Sequence, residues 1–107
     1  MEITAEQLKQ KIKNGDKVIV DFYTNWCGPC RMMKPTFEKV SQEFVNENYG
    51  VEMYTFDVQK YQDYAAELGI RAVPTIKSFI NGVENYSKSG MQTESQLKEL
   101  AKNLING

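Results

Sequence analysis

A chain of 107 residues with 41% hydrophobic and 25% charged side chains has the size and composition of one globular domain that builds its core without staples. Its formal charge of −1 gives no reason to expect nucleic acid or an anionic membrane as partner. With two cysteines and no histidine, it can form neither a tetrahedral Cys/His zinc site within one copy nor a Cys–His nucleophilic pair.

No basic region followed by an apolar run opens the sequence, so no secretory signal is visible. Nor does any stretch approach the roughly 20 apolar residues of a membrane-spanning helix. The expectation is a single domain over residues 1–107, a monomer, in the cytoplasm or a similarly reducing compartment. No resident cofactor or metal is expected.

In chain order, Thr4 and Gln7 form a capping box, with Ile3 and Leu8 placed as the hydrophobic staple around it. Leu8 and Ile12 give this first helix a short apolar stripe, and Asn14-Gly15 ends it. Residues 17–23 read as a strand with apolar side chains at both parities, as in the buried centre of an α/β sheet. A long helix begins just after Cys27, where Met33, Phe37, Val40 and Phe44 recur at the spacing of one buried face. Pro35 is expected to kink it and Gly50 to close it. Val51 to Asp57 is a second strand, and Tyr61 to Leu68 a shorter helix stopped by Gly69. Thr75–Ile80 and Val83–Ser87 form a hairpin around Asn81-Gly82, a pair suited to a type I′ turn. Thr93 and Gln96 cap a last helix striped by Leu97, Leu100, Ala101, Leu104 and Ile105.

Helices alternating with strands before a hairpin imply an α/β fold: a central mixed β-sheet of four to five strands flanked by four helices. The optional fifth strand is a short one near the N-terminus. Tyr49, Tyr54, Tyr61, Tyr64 and Tyr86 read as packing residues with solvated hydroxyls, and Met32 and Met33 as core filler. Lys77 and Ser78 interrupt an otherwise apolar hairpin strand, which suggests that one of its faces is partly solvated.

The cysteines stand three apart in Trp26-Cys27-Gly28-Pro29-Cys30, directly between the first strand and the long helix. The free N–H groups and dipole of a helix start stabilise an anion, so Cys27 is expected to carry a depressed pKa. Cys30, one turn further in, can hydrogen-bond that thiolate and can attack a mixed disulfide formed on it. Pro29 loses no useful donor near a helix start. Reversible dithiol/disulfide chemistry is the favoured reading. An inert buried pair, or half of an intermolecular metal site, is the alternative. Asp21 is the second candidate. A carboxylate inside an apolar strand is costly unless paired or neutral, and burial raises its pKa toward the range useful for proton transfer. An aspartate on a solvent-facing strand edge is the alternative there.

The run from Val20 through Asp21, Trp26, Cys27, Gly28, Pro29 and Cys30 to Pro35 resembles the active-site segment of the thioredoxin family. Arg71-Ala72-Val73-Pro74-Thr75 is similar to that family's cis-proline loop, and Phe79-Ile80-Asn81-Gly82 and Gly90 fall where it has its hairpin turn and a substrate-facing glycine. The resemblance covers essentially the whole chain and implies the thioredoxin fold. It also implies a protein-disulfide reductase or dithiol electron carrier. Cys27 would attack a substrate disulfide, Cys30 would resolve the mixed disulfide, and Asp21 would assist deprotonation of Cys30, often through water.

By the same resemblance, Pro74 is the cis proline facing the sulfurs and Val73 pairs its backbone with an extended substrate segment. Trp26, Gly28, Pro29, Ala72, Gly90 and Met91 complete a shallow apolar surface. The implied partners are disulfide-containing substrate proteins and a flavoprotein thioredoxin reductase that uses NADPH. Many family members carry a lysine close to the buried aspartate where this chain has Met53, and Lys34 is the candidate replacement. Two other readings are a dithiol oxidase or isomerase of an oxidising compartment, and a binding module that does not need its sulfurs.

Overall fold

The computed structural model describes residues 1–46 and 49–107. Four helices, α1 (Ala5–Lys13), α2 (Gly28–Asn46), α3 (Gln62–Glu67) and α4 (Glu94–Asn106), accompany four strands. These are β1 (Lys17–Tyr23), β2 (Val51–Asp57), β3 (Thr75–Ile80) and β4 (Val83–Ser89), in the chain order expected. The sheet order is β2-β1-β3-β4, with β1 and β2 parallel and the other two pairs antiparallel. The expected short N-terminal strand is one parallel bridge, Glu2 to Thr55. Around it, Ile3 N donates to Thr55 O and Thr55 N to Met1 O, both at 2.9 Å.

The two parities of β1 explain its continuous apolar run, because each supplies a different core. Ile19 joins Met33, Phe37 and Val40 of α2, Met53, Ile76, and Leu97, Leu100, Ala101 and Leu104 of α4. Val18, Val20 and Phe22 join Leu8 of α1, Phe56, Ala65 of α3, and Phe79 on the opposite face. Helices therefore cover both faces of the sheet, and β1 lies in its interior. Both predicted capping boxes close, Thr4 with Gln7 and Thr93 with Gln96. A lost cap of this kind costs about 1 kcal/mol. The hairpin turns through Asn81 and Gly82, both at positive φ, as a type I′ turn requires.

Several expectations need correction. Met33 is only 1% exposed and is core filler, but Met32 is 71% exposed and is not. Lys77 and Ser78 are buried, because β3 runs between β1 and β4; it is β4, at the sheet edge, that faces solvent. The Lys77 ammonium, on a side chain 5% exposed as a residue, is neutralised by Glu84 of β4. Two tyrosine hydroxyls expected in water bond protein groups instead: Tyr54 donates to Glu52, and Tyr86 donates to Gln92 at 3.2 Å. Pro35 lies inside α2, as its place in the apolar pattern implied, and is exposed. The expected stop at Gly50 falls partly on residues 47 and 48, outside the described residues.

Ser78 is fully buried and its hydroxyl finds no partner among the described residues. A buried donor without a partner carries its full desolvation penalty. Ser78→Ala is therefore expected to stabilise the fold by about 1 kcal/mol, read as a higher urea midpoint at unchanged slope.

Candidate functional site

The strand register gathers one end of the sheet. Phe22 and Tyr23 close β1 opposite Phe56 and Asp57 at the parallel end of β2. Phe22 also pairs with Thr75, the first residue of β3, and Thr75 pairs with Ser89, the last of β4. Four loops thus leave the same edge: residues 24–27, residues 58–61, residues 71–74 and residues 90–93. A crevice beyond the carboxyl ends of parallel strands is where α/β sheets commonly place their sites.

Cys27 occupies the residue before α2 and caps it with sulfur, as Cys30 N donates to Cys27 Sγ at 3.1 Å. Arg31 N donates to Cys27 O at 3.2 Å, which continues the turn. The two cysteines are joined as a disulfide with their Cα atoms 5.2 Å apart. Their environments differ. Cys27 is half-buried, whereas Cys30 is 3% exposed. In the reduced pair, the N–H that reaches Cys27 Sγ and the dipole of the 19-residue helix behind it favour negative charge on that sulfur.

Asp21 lies on the α2 side of β1, in register with Thr55 and Ile76. It is 1% exposed, and its Oδ1 has no partner among the described residues. The solvent-edge alternative is thereby removed. Burial pushes its carboxyl up to about 7, the nearby Glu2 charge adds to this, and the Lys34 ammonium opposes it. Asp21 and Cys30 line one cavity of about 250 Å³, together with Tyr23, Thr24, Asn25, Arg31, Lys34 and Thr55. Lys34 thus does border the carboxylate from the next turn of α2, although it is exposed. Met53 is buried in the apolar cluster with Ile19 and supplies no charge.

The remaining candidates sit around this edge. The Val73–Pro74 peptide is cis, Pro74 is buried, Val73 is half-buried, and Ala72 is exposed. Thr75 Oγ1 donates to Ala72 O at 2.6 Å, and Gly90 N donates to Pro74 O at 2.8 Å, tying the two loops together. Gly90 takes φ +98, and a Cβ there would meet nothing within 4 Å. The glycine is required by its backbone angle rather than by crowding. Gly28 is half-buried, and Pro29 and Met91 are exposed.

Trp26 is 80% exposed yet held, because its indole Nε1 donates to Gln59 Oε1 at 2.6 Å. Asp57 Oδ1 in turn accepts from the backbone N–H groups of Gln59 and Lys60 at 3.0 and 3.2 Å. Gln59, Tyr23 and Thr55 were not among the sequence candidates. Two parallel strands end at the same sheet edge, so the residues closing the second strand and its following loop carried the available signal.

A family model, Thioredoxin, matches residues 1–103. A thioredoxin of Malassezia sympodialis is 46% identical over 78 residues, covering 72% of this chain and 71% of that protein. A thioredoxin of Mycoplasmoides gallisepticum is 35% identical over 96 residues, covering 90% of this chain and 92% of that protein. The X-ray structure of Fasciola hepatica thioredoxin superposes with a TM-score of 0.83 at 32% identity, covering 96% of this chain and 98% of that one. Shared sequence over nearly the full length, a shared sheet and helix arrangement, and a joined cysteine pair heading α2 make this chain a member of the thioredoxin family of protein-disulfide oxidoreductases.

Proposed function

We propose that the protein is a general protein-disulfide reductase in which Cys27 attacks and Cys30 resolves. The unequal surroundings of the two sulfurs carry this reading: Cys27 is accessible and receives a helix N–H, while Cys30 is buried beside the Asp21 cavity. The Cys27 thiolate attacks one sulfur of a substrate disulfide. That S–S bond breaks, its electron pair leaves with the other substrate sulfur, and a mixed disulfide remains on Cys27. Asp21, as carboxylate, takes the Cys30 proton, directly or through water in the cavity they share. The Cys30 thiolate then attacks Cys27 Sγ, expelling the second substrate thiolate and closing the Cys27–Cys30 disulfide. Two electrons have passed to the substrate, and the cycle is reset by a flavoprotein thioredoxin reductase using NADPH.

Substrate binding is assigned to the surface around the sulfurs. An extended segment pairs with the Val73 backbone beside Pro74, while Trp26, Pro29, Ala72 and Met91 offer apolar contact and Gly28 and Gly90 allow close approach. Recognition built on backbone pairing and a shallow patch suits many disulfide proteins bound weakly.

The direct test is reduction of insulin disulfides with dithiothreitol as electron source. Acceleration over dithiothreitol alone is expected, and its absence would remove the reductase reading. Equilibration against glutathione then separates the directions. A pair more reducing than glutathione is expected, whereas a more oxidising one would favour an oxidase or isomerase.

A further inference from the structure

Glu2 stands outside the residues assigned so far, yet its carboxylate is firmly held. Tyr23 OH donates to its two oxygens at 2.9 and 3.0 Å, and Thr55 Oγ1 donates to Oε1 at 2.7 Å. The backbone hydrogen bonds from Ile3 N and to Met1 O, both on Thr55, bracket the residue. Thr55 is in turn the register partner of Asp21. Tyr23 and Thr55 both line the cavity into which Asp21 is buried. A hydroxyl has one proton to donate. Both of these hydroxyls direct theirs to Glu2, and Asp21 Oδ1 is left without a donor among the described residues although both border its cavity, which Thr24 and Asn25 line as well. Glu2 also sets a like charge beside Asp21.

We propose that Glu2 is a positioning residue for the proton of Asp21. By claiming the Tyr23 and Thr55 hydroxyl protons, and by its own charge, it prevents Asp21 from settling as a hydrogen-bonded anion and keeps its proton exchangeable at neutral pH. The other groups facing Asp21 do not duplicate this role. From α2, Arg31 and Lys34 line the cavity, and the Lys34 ammonium acts in the opposite direction; Cys30 is bound in the disulfide. From β3 the cross-strand neighbour is the apolar Ile76. On β2, Asp57 lies two register positions further along, opposite Tyr23. A proton acceptor works best when its affinity for the proton is matched to the working pH, and Glu2 tunes Asp21 toward that match.

The test is a carbon-13 NMR titration of the Asp21 carboxyl in the oxidised protein, where no sulfur titrates. Glu2→Gln keeps an acceptor for both hydroxyls and removes only the charge. It is expected to lower the Asp21 midpoint by about 0.5 in pH, less than a buried contact pair would give, because Glu2 faces water on one side. Glu2→Ala also releases the Tyr23 and Thr55 hydroxyls toward Asp21 and should lower the midpoint further. Tyr23→Phe and Thr55→Val remove those hydroxyls, so in the Glu2→Ala/Tyr23→Phe/Thr55→Val triple variant the additional fall should disappear. An Asp21 midpoint unmoved in both Glu2 variants would overturn the proposal, including where only the unfolding midpoint changes, because a purely structural Glu2 predicts that pattern. The consequence for turnover rests on Asp21 being the proton acceptor for Cys30. The titration does not, so its failure and the failure of that reading are told apart.

Discussion

Cys30→Ser is expected to stop multiple turnover and leave one substrate held on each chain through Cys27. Without a second sulfur, the first step still proceeds, because Cys27 keeps its place at the start of α2 and the helix N–H that reaches its sulfur. The mixed disulfide then has no intramolecular resolving group, since Cys27 and Cys30 are the only cysteines in the chain. Insulin reduction should fall to the rate of dithiothreitol alone, and non-reducing electrophoresis of a mixture with a disulfide protein should show a one-to-one adduct. Cys27→Ser should lose the same turnover without forming the adduct, because the remaining sulfur is 3% exposed. Equal adduct formation by both variants would reverse or abolish the proposed division of roles.

Asp21→Asn is expected to slow the resolving step while leaving formation of the mixed disulfide nearly unchanged. Positioned proton acceptors contribute at least about 10²-fold, and a loss near that lower bound is expected because the cavity admits other acceptors. In the unmodified protein the resolving rate should rise as pH passes through about 7, where the Asp21 carboxyl loses its proton. Stopped-flow measurement should find that inflection missing in the variant. An unchanged lifetime of the mixed disulfide would remove the proton-transfer role.

The same group sets a stability signature with a definite sign. The folded protein holds the Asp21 proton up to about 7, whereas an unfolded aspartate releases it near 3.8. Between these values the folded state binds a proton that the unfolded state lacks, so stability falls as pH rises through this window. The gap corresponds to about 4 kcal/mol, lost by pH 8 and fully recovered below pH 4 as far as this one group is concerned. Asp21→Asn should flatten this slope. At pH 8 it should be more stable than the parent by about 1–3 kcal/mol, because the buried amide keeps part of the polar penalty. Urea unfolding at pH 5 and pH 8 measures both quantities.

How far these features were readable differs from residue to residue. Thr4 and Thr93, each followed three residues on by glutamine, announce their helices because a capping box is a local interaction between neighbours in the chain. Asn81-Gly82 announces the hairpin for a similar reason, since two consecutive positive φ angles demand such residues. Lys77 and Ser78 mislead for the opposite reason. Their polarity argues for solvent, but β3 lies inside the sheet, and Glu84 arrives from the neighbouring strand to neutralise the lysine. Met32 and Met33 are indistinguishable by residue type, yet only Met33 falls on the stripe of Phe37, Val40 and Phe44, so helical spacing already separates the one in the core from the one in water.

The chemistry of the site follows the same divide. The sequence alone determines that two thiols stand three residues apart at a strand-to-helix junction, that no third cysteine or histidine competes, and that an aspartate interrupts an apolar strand. These are properties of residue type and near spacing, so they survive without coordinates. The tertiary structure decides what surrounds them. It places Glu2, Tyr23 and Thr55 beside the Asp21 cavity from three separate stretches of chain, and it brings Gln59 onto Trp26. Proton affinity depends on burial, on nearby charge and on which donors are already taken. Strands distant in sequence supply all three here, so the reaction can be read from local spacing while its tuning depends on strand register.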